Sequence, residues 1–579
     1  MRELRGIGAS PGGAAGPVYR LAPPPALPPL VETVDPEAEK TAVRAAAVAV
    51  AADLTRRADT AMDVTAAEVL RAQVMMAQDE TLIDAADIAI DGGADAPHAI
   101  TDVLAGHRAA FEAAGGYLAE RVSDLDDLRN RLVAACLGQP MPGVPDPGHP
   151  YLLIARDLAP ADTAGLEPGL VLGLITAEGG PTSHTAILAR TLGIPAVVRC
   201  PGILEVTDGA LASLDGTSGV VVAGVSAETV TTVNADRLAE IERRARSRGP
   251  GRTADGHPIA LLANIGSARD LTGEVEGVGL FRTELLYLDR SDPPSHEEQV
   301  TAYRDVFAAL PGRKIVVRTL DAGADKPLPF LRLADEPNPA LGIRGLRVAR
   351  QTPSVLTTQL AAIAAAAAAT DADVWVMAPM VATAAEAAAF TESCREHGLP
   401  TAGVMIEVPA AALRASQVLR HADFLSVGTN DLSQYTFAAD RMCGDLADLL
   451  DPWQPALIAL LASCAAAGIE AGKPVGVCGE SAADPDFALV LAGLGITSLS
   501  MAPRSIPAVR ESLAAHTLDE CRQIAEAALA APSPEAARAA AVGASRQLRI
   551  GDAETSATRS SLHAASGPAA ELPQHVPAP

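Results

Sequence analysis

From about residue 252 onward the chain repeats one pattern, in which a short apolar run is followed by a polar tip and then a helical segment. Short apolar runs bounded by turn residues are typical of strands that are buried on both faces of a parallel sheet. Eight such units within about 250 residues are what a closed (β/α)8 TIM-type barrel requires. The sequence therefore predicts a barrel over residues 252–542, with the strands IALLANI, GVGLF, KIVVRTL, VWVMAPM, GVMIEV, FLSVGTND, PVGVCGE and SLSMAP.

The first half of the chain has a different pattern. A Gly-rich opening and the strand-like runs between 151 and 224 flank a long segment with helical periodicity, which extends from about Pro36 to Leu137. Strands interrupted by one helical block indicate an α/β domain with an inserted helical bundle. We therefore expect an α/β domain at 1–30 and 141–225, with the helical subdomain at 31–140.

Two further segments complete the predicted multidomain α/β organisation. The charged helical pattern at 226–251 is typical of a linker between domains. The stretch at 543–579 is rich in Ser, Ala and Pro with weak periodicity, which predicts a disordered tail. A chain of 579 residues is also too long for one hydrophobic core.

Composition narrows the classes of partner. The formal net charge is −26, so binding a nucleic-acid backbone would work against the overall field. The seven cysteines are scattered without CxxC spacing, and no basic and apolar leader is present, which predicts a reducing, cytoplasmic setting. No apolar run is clearly long enough to span a bilayer, so we expect no membrane partner.

A first candidate site lies in GGPTSHTAILARTLGIPAVV. Thr182 is a suitable N-cap for a helix that ends near Gly193, which places His184 in the first helical turn. A phosphorylated imidazole at this position would face free backbone N–H groups and the positive end of the helix dipole. Thr182, Ser183 and Thr185 add hydroxyl donors. Taken alone, His184 is better explained as a residue that caps or packs the helix, and it is the surrounding motif that favours the phosphohistidine.

A second candidate site follows from the barrel. Active sites of this fold lie at the carboxyl ends of the strands, so polar residues directly after apolar runs are candidates. Each of them could individually form a structural salt bridge, but several consecutive strand tips carry such groups. These residues are Arg282, Arg318, Glu407, Asn430, Asp431 and Cys478.

The residue types fit a single compact anionic substrate. Arg282 and Arg318, with Arg441 as a third arginine, can bind phosphate and carboxylate oxygens with two hydrogen bonds each. Glu407 and Asp431 are a typical protein share of a Mg²⁺ site whose other ligands are substrate oxygens and water. Cys478 can serve as an acid, although a buried apolar thiol is the simpler explanation of that residue.

The motifs also resemble a known family. GG-x-TSH-x-AILAR resembles the phosphohistidine motif of phosphoenolpyruvate-using phosphotransferases, with Pro181 where a basic residue is usual. The barrel runs resemble enzyme I of the phosphoenolpyruvate:sugar phosphotransferase system over nearly the whole chain. The segments that carry this resemblance are GVGLFRTELLYLDR, RTLDAGADKPLPF, NPALGIRGLR, MIEVPAA, SVGTNDLSQYTFAADR and GVCGESAADP.

The resemblance implies roles for the candidate residues. His184 would accept the phosphoryl group of phosphoenolpyruvate and pass it to a histidine of the carrier protein HPr, which starts sugar uptake. Cys478 would donate a proton, and Glu407 and Asp431 would hold Mg²⁺. The substrate-binding residues would be Arg282, Arg318, Asn430, Asp431 and Arg441.

The resemblance further implies a swivelling phosphohistidine domain, a homodimer formed through the barrel, and a helical subdomain that docks HPr. In that subdomain Gln73 stands where a histidine is common. Two alternatives remain open from the sequence. One is an enzyme like pyruvate phosphate dikinase or phosphoenolpyruvate synthase, but the chain ahead of His184 offers only a helical block where an ATP-binding domain would be needed. The other is a regulatory carrier-binding protein without activity.

Overall fold

The computed structural model of the chain describes residues 1–22, 24–30, 35–60, 64–114, 122–158, 166, 169–180, 183–288, 290, 292–323, 328–331, 336–441 and 443–545. The chain divides into two compact units, Met1–Ile241 and a second unit that begins at Glu242.

The first unit contains an eight-stranded sheet with the order β1-β8-β7-β3-β4-β5-β6-β2. The four strands β3 to β6 pair in parallel, and the remaining pairs are antiparallel. The strands are β1 Arg2–Arg5, β2 Ile7–Ser10, β3 Gly13–Arg20, β4 Tyr151–Ala155, β5 Val171–Thr176, β6 Ala196–Val198, β7 Leu211–Asp215 and β8 Val220–Ala223.

Among the described residues, five helices lie between β3 and β4 in the chain and share a core of their own, built largely from Ala, Val and Leu. The inserted helices are α1 Pro36–Thr60, α2 Val64–Ala77, α3 Glu80–Asp91, α4 Ala96–Ala114 and α5 Val122–Cys136.

A buried polar network crosses this core. Arg131 Nε lies 2.7 Å from Asp127 Oδ2, and Arg131 Nη1 lies 3.2 Å from Asp53 Oδ2. Gln73 is buried, and its Nε2 donates to the backbone oxygen of Asp124 at 3.0 Å and to Asp127 Oδ2 at 3.3 Å. Gln73 therefore holds α2 against α5.

The second unit is built on a closed barrel of eight parallel strands, in which β16 pairs with β9 to close the ring. This confirms the predicted (β/α)8 fold, because each of the eight apolar runs forms one strand. The barrel strands are β9 Ala260–Ile265, β10 Gly277–Arg282, β11 Lys314–Arg318, β12 Asp373–Ala378, β13 Ala402–Ile406, β14 Leu425–Val427, β15 Val475–Val477 and β16 Ser498–Met501.

Helices follow the strands, and several begin at capping boxes such as Ser295 with Glu298 and Thr383 with Glu386, which satisfy free N–H groups of the first turn. The helices of this unit are α8 His296–Ala308, α9 Pro353–Ala368, α10 Ala384–Glu396, α11 Pro409–Leu413, α12 Ala415–Val418, α13 Thr429–Phe437, α14 Pro455–Ala471, α15 Pro485–Leu494, α16 Ile506–Ala514 and α17 Leu518–Leu529. Two helices precede the barrel strands in the chain, α6 His184–Leu192 and α7 Ala227–Arg246.

Two expectations from the sequence change in detail. The backbone is helical up to residue 545, so the predicted tail does not begin at 543, and its remainder lies outside the described residues. One described stretch, Asp448–Ala471, is long and apolar enough to cross a membrane by length and composition, contrary to the expectation that none is. Its helix α14 buries Leu457, Leu461 and Cys464 in the barrel core. Such burial is typical of a core helix, and nothing else in the described part of the chain indicates a membrane protein.

Candidate active site

The helix α6 begins at His184, which follows the N-cap residue. That N-cap is Ser183, whose Oγ accepts a hydrogen bond from the backbone N–H of Ala186 at 3.3 Å. The prediction of Thr182 as the N-cap was therefore wrong by one residue, and Thr182 itself lies outside the described residues. The helix ends as predicted, with Gly193 in the left-handed conformation at φ 68°. The backbone of His184 thus occupies the first helical turn.

Two contacts fix this helix on the sheet. The buried Thr185 donates its hydroxyl to Asp157 Oδ1 at 3.0 Å, and Arg190 Nε donates to the backbone oxygen of Ala9 at 2.6 Å. The hydroxyl of Thr185 serves the fold, so it is not the free donor that the sequence suggested. The side chain of His184 lies outside the described part of the chain.

The second site lies at the carboxyl ends of the barrel strands, where Arg282 ends β10 and Arg318 ends β11. These two residues are register partners across the parallel pair. Arg282 keeps an exposed surface, whereas Arg318 is buried. Partial desolvation of its guanidinium and the nearby charge of Arg318 lower the pKa of Arg282. The strand register therefore brings two cationic side chains to one position on the rim.

Arg318 contacts two carboxylates through its terminal nitrogen atoms. Its Nη2 lies 2.9 Å from Glu284 Oε1, and its Nη1 lies 3.4 Å from Asp321 Oδ2. Burial acts to lower the pKa of Arg318, but the charges of Glu284, Asp321 and Glu407 outweigh it and the pKa is raised. Among the described residues, the buried Nε of Arg318 has no hydrogen-bond partner. A buried N–H without a partner is costly, so this edge of the guanidinium is suited to bind an anionic ligand.

Arg344 links two of the carboxylates. Its Nη2 lies 3.2 Å from Asp321 Oδ2, and its Nη1 lies 3.2 Å from Asp431 Oδ1. Both Arg344 and Asp321 are 1% exposed, so the pairs are screened little by water. Arg344, Asp321 and Glu284 were not among the predicted site residues, although all three lie in segments that carry the family resemblance. For Glu284 and Asp321 the available signal was a position two or three residues beyond a strand end, whereas Arg344 lies in the long connection between β11 and α9 and offered no such signal.

Glu407 follows β13 directly and is buried beneath the rim. Its Oε2 accepts a hydrogen bond from the backbone N–H of Met380 at 2.8 Å. Met380 adopts a positive φ of 58°, a strained conformation for this residue that directs its N–H to Glu407. Burial raises the pKa of Glu407 well above its ordinary value, and the charges of Asp321 and Asp431 add to this rise. A cation between these carboxylates would remove that repulsion.

Asn430 and Asp431 lie in the first turn of α13. Asn430 Oδ1 accepts from the backbone N–H of Glu480 at 3.2 Å, and its Nδ2 lies 3.5 Å from Glu480 Oε1. Arg441 approaches Asp431, with Nη1 3.9 Å from Oδ2. The structure thus brings Asp431 together with two arginines, Arg344 and Arg441, and orients Asn430 through the loop after β15.

Cys478 follows β15 and is 4% exposed. Its Sγ lies 3.6 Å from the backbone oxygen of Val427, and Asn264 Nδ2 donates to the Cys478 backbone oxygen at 3.0 Å. Burial raises the pKa of the thiol to about 11, while a hydrogen bond with Ser426 acts in the opposite direction. The thiol is therefore protonated at neutral pH, as an acid in a proton transfer must be.

The groups around Glu407 and Asp431 indicate how these two carboxylates could hold a metal ion. No group of three or more His, Cys, Asp and Glu residues close enough to hold a metal ion occurs within the described ranges. The mutual repulsion around Glu407 fits a divalent cation, but the protein supplies too few donors to hold one alone. Such a site needs oxygen atoms from substrate and water, which is common for Mg²⁺.

The fold and the two sites define a class of enzyme that uses phosphoenolpyruvate, and comparison with known families confirms it. Models described as the N-terminal, mobile and phosphoenolpyruvate-binding domains of phosphoenolpyruvate-utilising enzymes match residues 5–121, 148–219 and 242–518. Family members use a divalent metal.

Individual relatives show to which family within this class the chain belongs. The phosphoenolpyruvate-protein phosphotransferase of Streptomyces coelicolor is 53% identical over 93% of this chain and 98% of its own length. The corresponding protein of Bacillus subtilis is 34% identical over 92% of this chain and 98% of its own. The chain therefore belongs to the phosphoenolpyruvate-protein phosphotransferase family, and it is a transferase, as the sequence predicted. The solution structure of an Enzyme I protein matches 41% of this chain and 99% of its own, with 31% identity and a TM-score of 0.36.

Proposed function

We propose that this protein transfers the phosphoryl group of phosphoenolpyruvate to its own His184 and then to a histidine of the carrier HPr. The observation that carries the proposal is the buried cluster at the barrel rim, where arginines and carboxylates surround a protonated thiol. Arg318 is central to it, because one buried N–H edge of this side chain has no partner among the described residues.

In this proposal the arginines of the rim bind the substrate. Phosphoenolpyruvate carries a phosphate and a carboxylate, and arginine binds both groups through paired N–H donors. Arg282 and Arg318 end adjacent strands, and Arg441 approaches from the loop after α13. Asn430 adds an amide that the backbone of Glu480 already orients, and Asp431 completes the substrate-binding set.

Glu407 and Asp431 would hold Mg²⁺ together with substrate oxygens. When bound, the metal ion neutralises phosphate charge during the transfer. The protein keeps both carboxylates in place through the backbone N–H of Met380 on Glu407 and the guanidinium of Arg344 on Asp431.

Cys478 would complete the reaction. Loss of the phosphoryl group leaves the enolate of pyruvate, and a proton must be added to its methylene carbon to give the ketone. The buried thiol can donate that proton from one fixed direction and later regain one from solvent. His184 accepts the phosphoryl group at a helix N-terminus, where free N–H groups favour an anion.

The family resemblance also supports proposals for the roles of the domains, the assembly and the location of the protein. They comprise a phosphohistidine domain at 1–30 and 141–225 that swivels, a subdomain at 31–140 that docks HPr, a linker at 226–251, a barrel at 252–542 that forms the homodimer, and cytoplasmic localisation. The sheet, the inserted helices, α7 and the closed barrel support this division.

An exchange reaction tests the proposed function without a carrier. Protein, Mg²⁺ and phosphoenolpyruvate are mixed with isotope-labelled pyruvate, and label in phosphoenolpyruvate is measured over time. A phosphoenzyme that forms reversibly predicts label exchange that depends on both Mg²⁺ and His184. Absence of exchange under conditions that saturate the substrate would contradict the proposal.

A further inference from the structure

A buried glutamine holds the backbone of the turn that carries Arg318. Gln359 lies on α9 and is fully buried. Its Oε1 accepts a hydrogen bond from the backbone N–H of Leu320 at 2.9 Å. Because a backbone N–H group can only donate, this contact fixes which end of the amide is the oxygen. The amide nitrogen of Gln359 is therefore left for other partners.

Both N–H groups of the Gln359 amide have partners. Nε2 donates to Thr283 Oγ1 at 3.0 Å and to the hydroxyl oxygen of Tyr303 at 3.1 Å, and both of these residues are buried. Thr283 directly follows β10, and its hydroxyl donates to the backbone oxygen of Arg318 at 2.9 Å. One chain of hydrogen bonds thus runs from Gln359 through Thr283 to the carbonyl group of Arg318.

Gln359 therefore holds the backbone on both sides of Thr319. It binds the N–H of Leu320 directly and the carbonyl group of Arg318 through Thr283. The hydroxyl of Thr283 has one hydrogen, and it can give that hydrogen to Arg318 because its other partner, the amide nitrogen, is a donor. An amide offers both the acceptor and the donor that these two contacts require.

The rest of this network is anchored away from the rim. The hydroxyl of Tyr303 donates to Gln299 Oε1 at 3.1 Å, and that of Tyr287 donates to the same oxygen at 2.9 Å. Gln299 Nε2 in turn donates to the backbone oxygen of Pro294 at 3.0 Å. These three side chains are buried. A buried polar network whose members all have partners is held in one arrangement.

We propose that Gln359 is a positioning residue for Arg318 and thereby sets the affinity of the barrel for phosphoenolpyruvate. The inference rests on the proposed function, in which Arg318 binds the substrate. Gln359 acts on the backbone of Arg318, while Glu284 and Asp321 contact its guanidinium. The two kinds of support place different parts of the same residue. A binding site weakens when its supporting residues let a side chain move by about 1 Å.

Calorimetric titration with phosphoenolpyruvate and Mg²⁺ measures binding without turnover in the full-length His184→Ala protein. Three further changes are made in that protein. Gln359→Met keeps the length of the side chain but removes the amide, Thr283→Val keeps the shape but removes the hydroxyl, and Thr283→Ser keeps the hydroxyl. We expect the first two to weaken binding by at least about tenfold and Thr283→Ser to bind normally. The double variant should bind about as weakly as the weaker single variant, since both changes break one chain.

A matched control separates positioning from stability. Tyr303→Phe also removes a buried hydrogen bond of Gln359, but it leaves the chain from Gln359 to Arg318 intact. It should lower the temperature of thermal unfolding and keep the affinity for phosphoenolpyruvate. Normal affinity in Thr283→Val, or an equal loss of affinity in Tyr303→Phe, would overturn the inference. If the His184→Ala protein itself did not bind phosphoenolpyruvate, the proposed function would be contradicted and this inference with it.

Discussion

Arg344 and Asp431 are joined by two contacts within the barrel, Nη1 to Oδ1 at 3.2 Å and Nη2 to Oδ2 at 3.4 Å. The same guanidinium also contacts Asp321, so one buried cation fixes two carboxylates. Asp431 is thereby presented to the rim in one orientation. Arg344 acts through Asp431, and it is a positioning residue in this account.

Replacement of Arg344 should show that the position of Asp431 depends on this guanidinium. Arg344→Ala leaves two buried carboxylates without their cation, which costs about 3–5 kcal/mol of stability for a buried pair. Arg344→Lys keeps the charge but cannot contact both carboxylates with a planar fork. We expect the Lys variant to fold and to need more Mg²⁺ for half-maximal exchange. An unchanged Mg²⁺ requirement in a folded Arg344→Lys variant would show that Arg344 does not position Asp431 for the metal ion.

The metal carboxylates give a second prediction. Glu407→Gln and Asp431→Asn each remove one anionic ligand, so exchange should fall by at least about 100-fold and the Mg²⁺ requirement should rise. Chelation of the metal should stop exchange by the unchanged protein. Glu396→Gln, an exposed position on α10, is the control and should behave like the unchanged protein. Normal Mg²⁺ dependence in both site variants would exclude these residues as ligands.

The space beside Glu407 gives a third prediction. A Cβ atom added at Gly428 would lie 2.9 Å from Glu407 Cγ, closer than ordinary contact allows. Gly428→Ala should therefore displace Glu407 and lower exchange by about 10–100-fold, as is typical when the support of a metal ligand is changed. Gly543→Ala, where a Cβ atom would meet nothing within 4 Å, is the matched control. Equal activity of the two variants would show that Glu407 tolerates the shift.

Two measurements test Cys478, the pH dependence of its alkylation and the stereochemistry of enolate protonation. Because burial raises its pKa to about 11, the thiol stays protonated until the pH approaches that value. Alkylation of Cys478 should be slow at pH 8 and rise steadily to pH 10, whereas the exposed Cys443 should react readily.

Cys478→Ser and Cys478→Ala should both bind phosphoenolpyruvate but turn over slowly. With phosphoenolpyruvate that carries tritium at one methylene position, pyruvate formed in D₂O should lose the chirality of its methyl group. Normal rate and stereochemistry in both variants would assign the proton to another group.

The sequence was sufficient for the barrel because buried parallel strands are continuous apolar runs, such as IALLANI and KIVVRTL. It also indicated the residues that immediately follow those strands, including Arg318 and Glu407. Arg344 could not be assigned, since its contacts with Asp321 and Asp431 join segments far apart in the chain. The positive φ of Met380 depends equally on the tertiary structure.

The first residue of the phosphohistidine helix α6 could not be predicted from the sequence. Ser183 is a slightly better N-cap residue than its neighbour Thr182, but so small a difference in preference does not locate the start of a helix to one residue. Gln73 departs from the family pattern, in which a histidine is common, and the structure explains what this glutamine does. Its amide holds two helices together through Asp124 and Asp127, which the sequence alone could not reveal.

The central claim is that His184 accepts the phosphoryl group, and mapping the phosphate tests it directly. Protein is incubated with ³²P-labelled phosphoenolpyruvate and Mg²⁺, and acid-labile phosphate is located by mass spectrometry at neutral pH. We predict label on His184 alone, its loss in His184→Ala, and its retention in His149→Ala, an exposed histidine of the same unit. The His184→Ala barrel should still bind phosphoenolpyruvate. Acid-labile label at the normal rate in His184→Ala would contradict the account.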